Sequence, residues 1–212
     1  ELLVGIHSHG QGMETTLSQI ACQELGLSLE DVIVRYGDTA VSSYGNGTFA
    51  SRSIVMAGGA SANACRKLAG RLKHIGAHLM QCDPVAVELR DGAVFGSDAS
   101  VTISEIARLA HIRQDLLPKN TDPTLEETSI YEPEVTSGVF SYSTHAAVVL
   151  VDTETGEVEI ENYAVAEDCG TVVNPMIVDG QIFGGVAQGI GTALFEEIPY
   201  DEYGQPQAST FA

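Results

Sequence analysis

The fold class is decided by the stretch HAAVVLVDTETGEVEIENYAVAEDC, residues 145–169. Two runs rich in β-branched residues flank the polar turn TETGE at 153–157, which predicts a β-hairpin. A second hairpin is predicted over VAVELRDGAVFG, residues 85–96, around the turn dipeptide Asp91-Gly92. Hairpins combined with helices favour an α+β fold over a doubly wound parallel sheet.

The flanking sequence supplies the other elements of this fold. Periodic apolar residues, or small residues that allow close packing, predict helices near 14–25, 53–80, 103–111 and 179–195, and apolar runs predict strands over 1–6 and 32–36. The stretch 113–137, which holds three of the seven prolines, reads as a long loop. We therefore predict one α+β domain over 1–212, with a mixed or antiparallel sheet and packed helices, cut from a longer chain at both ends.

The composition excludes several classes of protein. The 212 residues include 10 Lys and Arg against 29 Asp and Glu, for a net charge of −19. Such a chain repels nucleic-acid backbones and anionic membranes, and no apolar run reaches the roughly 18 residues that span a membrane. The four cysteines form no CxxC pair, which indicates free thiols in the cytoplasm. Only three basic residues are Lys, which fits either a high-salt cytoplasm or an ordinary acidic protein.

The first candidate binding motif is GQGMETTLSQI, residues 10–20. Gly10 and Gly12 flank Gln11 at the end of a predicted strand, and a helix is predicted to follow at once. Unpaired N–H groups at such a helix start carry the positive end of the helix dipole and can bind an anion without Lys or Arg. The alternative is a tight turn whose glycines serve only to adopt positive φ.

The second candidate motif is GNGTFASRS, residues 45–53, another Gly-rich turn before a helix. Thr48, Ser51 and Ser53 supply hydroxyl groups beside exposed amides, and Arg52 is the only cation in these glycine turns. These groups can donate hydrogen bonds to an anionic ligand. An ordinary loop with a Ser N-cap is the alternative.

The third candidate motif is VDGQIFGGVAQGIG, residues 178–191. Gln181 and Gln188 are seven residues apart and share one helix face, and Gly184 and Gly185 lie between them, so that a flat group could approach the backbone. The motif lacks the GxGxxG pattern, a preceding βαβ strand and a later acidic residue, which argues against a dinucleotide loop. Packing of another helix on these glycines is the alternative.

Other chemistry-bearing residues give weaker signals. His7 and His9, like His74 and His78, have spacings seen in metal sites, but neither pair has Cys or carboxylate partners arranged in sequence. We therefore predict no metal site. Cys169, in EDCG, is by itself more typical of a buried small hydrophobe than of a nucleophile.

The three motifs taken together, in their order along the chain, resemble a known protein family more specifically than any one of them alone. In order, GQGMETTLSQIACQELGL, GDT followed by GTFASRS, and EDCGTVVNPMIVDGQIFGGVAQGIGTALFEE resemble the xanthine dehydrogenase and aldehyde oxidase family. The chain looks most like the large subunits of aerobic carbon monoxide dehydrogenases, and it corresponds to their second molybdenum-cofactor-binding region. The resemblance covers essentially the whole chain, with three separated motifs in register.

The resemblance implies a cofactor and the residues that bind it. The cofactor is molybdopterin with molybdenum, often as the cytosine dinucleotide. Contacts are implied for Gly10, Gln11 and Gly12 in the first motif, for Thr48, Phe49, Ser51 and Arg52 in the second, and for Cys169 and Gln181 in the third.

The resemblance also implies what the parent protein does. The parent is expected to be an oxidoreductase that oxidises a small molecule with oxygen from water and passes electrons to iron–sulfur and FAD subunits, in a dimer of heterotrimers. Its catalytic Glu lies in a GVGE-type motif downstream of residue 212, so we assign no catalytic residue and expect the isolated chain to be inactive. The alternative is a non-enzymatic acidic interaction domain whose glycine turns are purely structural.

Overall fold

The computed structural model describes residues 1–42, 44–135, 140–208 and 210. The chain forms two compact units, residues 1–139 and 140–212. The single domain predicted over 1–212 stays a prediction. No helix among the described residues has the length and apolar character to cross a membrane.

The first unit alternates short strands with three helices. Its elements are β1 (Leu2–Leu3), α1 (Met13–Leu25), β2 (Val34–Arg35), α2 (Gly59–Met80), β3 (Glu88–Arg90), β4 (Ala93–Phe95), β5 (Ser100–Thr102) and α3 (Ile103–Ile112). Strands β1 and β2 pair in parallel, whereas β3, β4 and β5 form an antiparallel meander. These mixed sheets and helices confirm the α+β class, and the predicted helices agree to within a few residues. Strand β5 was not predicted.

The hairpin predicted around Asp91-Gly92 is confirmed, and it docks on the end of α1. Both turn residues adopt positive φ, 48° and 70°, as a tight two-residue hairpin turn requires. Helix α1 ends with Gly26 as its C-cap, which has φ 62° and whose carbonyl oxygen accepts the Gly92 N–H at 2.7 Å. A Cβ at Gly26 would lie 2.5 Å from Cα of Arg90, so only glycine permits this approach.

The buried side chains of the first unit form two clusters. The larger cluster joins α1, α2, α3 and the meander, and it includes the fully buried Leu72, Ile75, Val94 and Ile106. The smaller cluster lies under the first two motifs and consists of Val4, Ile6, Met13, Leu17 and Ala57. The packed cores therefore fix the strand end and the helix starts that carry both motifs.

The long loop predicted over 113–137 is largely irregular in the part the structure describes. It contains one short 3₁₀ turn, Gln114–Leu116, and no other helix or strand through residue 135. Residues 136 and 137 lie outside the described residues.

The second unit consists of a long hairpin and one helix. Strands β6 (Tyr142–Val151) and β7 (Val158–Asp168) pair antiparallel, with an irregularity between Val148 and Val149, which confirms the predicted hairpin. Helix α4 (Pro175–Leu194) begins a few residues before the predicted start, because the Asn174 side chain accepts the Ile177 N–H at 3.2 Å. None of the described side chains of this unit is buried.

Candidate functional site

The first motif forms a helix start without a side-chain cap. Gly10 and Gly12 have φ of 93° and 78°, which only glycine adopts freely. Gly12 is the N-cap of α1, and it offers no side chain to the N–H groups of the first turn. These N–H groups keep the positive end of the helix dipole available to a ligand.

The Gln11 side chain is oriented by the backbone beside it. Its Oε1 accepts a hydrogen bond from the His9 backbone N–H. This contact uses the acceptor of the side chain and leaves its amide NH₂ without a hydrogen-bond partner among the described residues. Gln11 is therefore arranged to donate to a ligand.

One acidic side chain lies at the same helix start. The Glu14 carboxylate accepts hydrogen bonds from the Tyr36 hydroxyl and, at 3.2 Å, from the Ser8 hydroxyl. The Tyr36 hydrogen bond, followed by that of Glu14's own backbone N–H, holds the pKa of this carboxyl below its ordinary value. The same contact raises the pKa of the Tyr36 hydroxyl. Glu14 thus stays charged and is fixed in place by two hydroxyl groups.

Two glycines let the backbones of the first two motifs cross. A Cβ on Gly5 would overlap the carbonyl oxygen of Tyr44, and a Cβ on Gly45 would overlap that of Gly5. Beside this crossing the Gly47 N–H donates to the Gly5 carbonyl oxygen at 3.3 Å. The strand end that leads to Gly10 is therefore held directly against the second motif.

The Thr48 hydroxyl fastens the two motifs together. It donates to the His7 carbonyl oxygen at 2.6 Å, and it accepts from the His7 N–H at 3.0 Å and from the Ser53 hydroxyl at 3.2 Å. One donor and two acceptor positions are all that a hydroxyl has. Thr48 therefore acts as a clasp, and its hydroxyl has no hydrogen-bonding capacity left for a ligand.

We call residues 10–12 and 45–53, which the Thr48 clasp connects, the joined loops. Arg52 is the cation of these loops. Its Nη1 donates to the Gly47 carbonyl oxygen at 2.8 Å, and its guanidinium carbon lies 5.1 Å from the centre of the Phe49 ring. Ala50 and Ser51, which lie between Phe49 and Arg52, have positive φ angles of 51° and 56°. Non-glycine residues rarely adopt such angles. The tight turn so formed delivers the chain into a π-helical turn, Ile54–Gly58, at the start of α2.

The third motif lies in the second unit. Gln181 and Gln188 are both exposed on α4. Within the described part of the second unit, a Cβ on Gly184 or Gly185 would meet no atom within 4 Å. Cys169 is exposed, and its interpretation as a buried small hydrophobe is wrong. In the turn that contains Cys169, the Asp168 carboxylate accepts the Gly170 N–H at 3.0 Å.

The structure brings no metal-binding group together in the residues it describes. No set of three or more His, Cys, Asp or Glu side chains is close enough to hold a metal ion. The rings of His7 and His9 are 5.8 Å apart, and the His7 ring packs 5.2 Å from that of Tyr36. All four cysteines are free thiols, and burial raises the pKa of Cys65.

Sequence patterns do not reveal the structural roles of three residues that shape this site. Gly5 permits the backbone crossing, His7 supplies both backbone partners of Thr48, and the buried Ser53 hydroxyl completes the clasp. The sequence places the Ser53 hydroxyl in the second motif, and the structure shows that it donates to Thr48. No local signal marks the roles of Gly5 and His7, because each contacts a residue far away in the sequence. His7 and Thr48, for example, are 41 positions apart.

The fold is that of an α+β protein in which two glycine loops are held together. The whole chain, residues 1–212, matches the molybdopterin cofactor-binding domain, and it belongs to this family. It is 36% identical over 210 residues to the nicotine 6-hydroxylase large subunit of Paenarthrobacter nicotinovorans, and 34% identical over 210 residues to the carbon monoxide dehydrogenase large chain of Hydrogenophaga pseudoflava. It also superposes on the crystal structure of quinoline 2-oxidoreductase from Pseudomonas putida 86, with a TM-score of 0.87 and 36% identity.

These comparisons confirm the resemblance to molybdenum hydroxylase and carbon monoxide dehydrogenase large subunits, and with it a molybdopterin-type cofactor. They give no support to the alternative of a non-enzymatic acidic interaction domain. Each of the three matches covers 98% of this chain but only 26% of the relative. The chain therefore spans 26% of the length of these relatives, which are named as large subunits or oxidoreductases. The individual cofactor-binding residues stay predictions.

Proposed function

We propose that the joined loops at Gly10–Gly12 and Gly45–Ser53 hold the anionic part of the molybdopterin cofactor, in its cytosine dinucleotide form. The observation that carries this proposal is the Thr48 clasp, since it places an uncapped helix start beside a second glycine turn. Neither loop alone surrounds an anion, whereas the pair presents donors from two sides.

The donors available suit a pyrophosphate in an acidic chain. They are the N–H groups of Met13 and Thr15 in the first turn of α1, the NH₂ of Gln11 and the Arg52 guanidinium. Backbone donors at a helix start bind phosphate without needing Lys. The fixed Glu14 carboxylate disfavours an anion at the helix start, and its two hydroxyl partners hold it in place. The residues present therefore fit the group.

Each loop residue has a distinct part in this arrangement. Gly10 and Gly12 let the backbone approach the ligand, and Gln11 orients it through hydrogen bonds. Arg52 offsets negative charge, with Phe49 holding its guanidinium in place. Ser51 offers an exposed hydroxyl, whereas Thr48 acts on the ligand only through the clasp. When bound, the cofactor supplies a molybdenum centre that takes electrons from the substrate.

A third contact is proposed for the second unit. Cys169 and Gln181 are both exposed, and α4 presents a glycine-lined surface next to Gln181 that a flat ring system can approach. A side-chain amide can both donate to and accept from the edge of a heteroaromatic ring. We assign Gln181 this role toward the pterin.

The parent protein is proposed to be the large subunit of a cytoplasmic molybdenum hydroxylase. It would oxidise a small molecule with oxygen from water and pass the electrons to iron–sulfur and FAD subunits in a dimer of heterotrimers. The relatives support this, because two are named as large chains or large subunits. The isolated chain is expected to be inactive, since no catalytic residue is assigned within it.

The third contact is tested by substituting Gln181 in the complete enzyme. Gln181→Ala should lower the molybdenum and pterin content of the purified complex while leaving its fold intact, because a lost hydrogen bond to a bound group costs about 1–3 kcal/mol. Gln188→Ala, on the same face of α4, is the matched control and should keep full occupancy. Unchanged metal and pterin content in Gln181→Ala would remove this residue from the site.

The clasp itself is tested by Thr48→Val, which keeps the shape of the side chain and removes its hydroxyl. We expect cofactor content to fall and the first unit to lose about 2–4 kcal/mol of stability, because three hydrogen bonds are lost together. Thr128→Val, at an exposed position of the first unit outside both glycine loops, should change neither quantity. If Thr48→Val retained full cofactor content, cofactor binding would not depend on the clasp between the two loops, and the proposal would be refuted.

A further inference from the structure

Helix α2 is a basic element in an acidic chain. Its residues, Gly59–Met80, include four of the ten Lys and Arg of the whole sequence and no Asp or Glu. These four are Arg66, Lys67, Arg71 and Lys73. The proposed cofactor site uses none of them, so this concentration of positive charge is unexplained by that site.

An extended segment, residues 124–131, lies along one face of α2; we call it the strap. The helix residues that contact it are spaced four apart, which places them on one face. Arg71 donates to the carbonyl oxygen of Thr124 and pairs with the Glu127 carboxylate. Toward the other end of the strap, the Tyr131 ring covers Gly59, where a Cβ would lie within 2.7 Å of three ring carbons. Both ends of the strap are therefore firmly held.

The contacts between these two anchors are weaker. Lys67 Nζ donates to the Ser129 hydroxyl at 3.3 Å, and Asn63 Nδ2 donates to the Ile130 carbonyl oxygen at 3.5 Å. Both distances are at the long end for hydrogen bonds. Among the described residues, the Lys67 ammonium makes no ion pair, so a positive charge faces a neutral hydroxyl.

A groove opens between α2 and the strap at this point. It has a volume of about 590 Å³ and is lined by Asn63, Arg66, Lys67, Thr128, Ser129 and Ile130. Small-molecule sites commonly have volumes of about 300–1,000 Å³. The lining contains two cations, one amide and two hydroxyl groups, and no carboxylate. Glu24 pairs with Arg66 at 2.6 Å from outside the lining, and the Arg66 side chain remains 62% exposed.

We propose that this groove binds the phosphate group of a small phosphate monoester. The Lys67 ammonium supplies the unpaired charge, the Arg66 guanidinium a planar set of N–H donors, and Ser129 a hydroxyl donor from the strap. The phosphate replaces the long Lys67–Ser129 contact with charge-assisted hydrogen bonds from both groups, and so ties the middle of the strap to α2. A phosphate monoester fits better than a lone carboxylate because the donors converge from both walls of the groove.

This site is separate from the proposed cofactor site. Lys67 lies 14 residues beyond Ser53 along a continuous helical path, which corresponds to roughly 21 Å at 1.5 Å per residue. No residue is shared between the groove and the joined glycine loops. The two proposals can therefore fail independently.

The experiment titrates the full 212-residue chain with inorganic phosphate and, separately, with glycerol 3-phosphate at constant ionic strength. Backbone amide shifts are followed by NMR. Saturable shifts are expected at Lys67 and Ser129, with glycerol 3-phosphate binding at least as tightly as inorganic phosphate. Shifts confined to Gly10–Gly12 and the 45–53 loop, or a linear response without saturation, would refute the proposal that the groove binds phosphate.

Variants make the assignment specific. Lys67→Met should weaken binding at least about tenfold, the loss typical of a charged hydrogen bond. Lys73→Met removes the same charge from the same helix outside the groove and should leave binding nearly unchanged. Ser129→Ala, a change on the strap that keeps all charges, should weaken binding severalfold. Equal losses in the two Lys variants would show a general charge effect and refute a defined site.

Discussion

The carboxylate of Glu14 illustrates how single residues prepare the first loop. An acid in the first helical turn is favoured by the helix dipole, but here it also lies where the proposed anion would bind. The hydroxyls of Tyr36 and Ser8 hold it at one side of the helix start. A spacing of 22 residues separates Glu14 from Tyr36, so sequence pattern alone does not reveal the pair.

Tyr36→Phe tests this arrangement through pH. Since the largest cause of the lowered pKa of Glu14 is the Tyr36 hydroxyl, removing that hydroxyl should raise the pKa, as followed by NMR titration of the side-chain carboxyl. A lowered folded pKa means that charged Glu14 stabilises the fold above its unfolded pKa, and that this stabilisation is lost as the pH falls through the folded pKa. The stability difference between Tyr36→Phe and the parent chain should therefore be present at neutral pH and shrink in acid.

The control is Tyr44→Phe, because the Tyr44 side chain is 80% exposed. It should leave the pKa of Glu14 unchanged. An unchanged pKa in Tyr36→Phe as well would mean that the hydroxyl does not hold the carboxylate in solution.

At the scale of the elements, α2 organises the first unit. One part of it packs on α1, another on the β3–β5 meander and α3, and its basic face carries the strap. Its glycines differ sharply in surroundings. A Cβ on Gly76 would lie 2.8 Å from Cβ and Cγ1 of the fully buried Val94, whereas one on Gly70 would meet no atom within 4 Å.

Two alanine substitutions on α2 should therefore have opposite effects. Gly76→Ala should destabilise the chain by about 1–3 kcal/mol, because the added methyl overpacks the contact with Val94. Gly70→Ala should stabilise it by about 0.5–1 kcal/mol, because alanine is the better helix former and has open space. Urea unfolding followed by circular dichroism measures both. If Gly76→Ala and Gly70→Ala had the same free energy of unfolding, the packing of α2 on the meander would be contradicted.

At the scale of the whole molecule, charge is the dominant feature. The net charge of −19 is offset locally by few ion pairs, and most of the six found among the described residues are exposed. Exposed pairs contribute little to stability. Self-repulsion among carboxylates is therefore the larger electrostatic effect on folding.

Thermal stability should consequently rise with salt. Between about 0.1 M and 1 M sodium chloride the screening length falls from about 10 Å to about 3 Å, which weakens repulsion between surface carboxylates. Thermal unfolding followed by circular dichroism should show a higher Tm in the higher salt. An uncharged osmolyte serves as the control for excluded-volume effects. A constant or falling Tm would show that repulsion does not limit stability and would end the high-salt interpretation of the composition.

Much of the fold follows from local sequence. The turns at Asp91-Gly92 and TETGE, the periodicity of the helices and the glycines of the first two motifs each act over a few residues, and the structure has the predicted elements there. Strand β5 escaped prediction because three residues, Ser100–Thr102, carry too little pattern to mark a strand. The early start of α4 depended on one side-chain cap at Asn174.

The sequence by itself determined the α+β class, the two hairpins, the order of the helices and the three glycine motifs, because backbone conformation and hydrophobic periodicity are local properties of a chain. Only the tertiary structure decided that Gly5 and Gly45 cross, that the Thr48 hydroxyl is consumed by His7 and Ser53, and that the strap lies on α2. Most of these contacts join residues that are far apart in the sequence. His7 and Thr48 are 41 positions apart, and Lys67 and Ser129 are 62 positions apart. Such pairings depend on how packed elements meet in space, and no local preference of either partner encodes them.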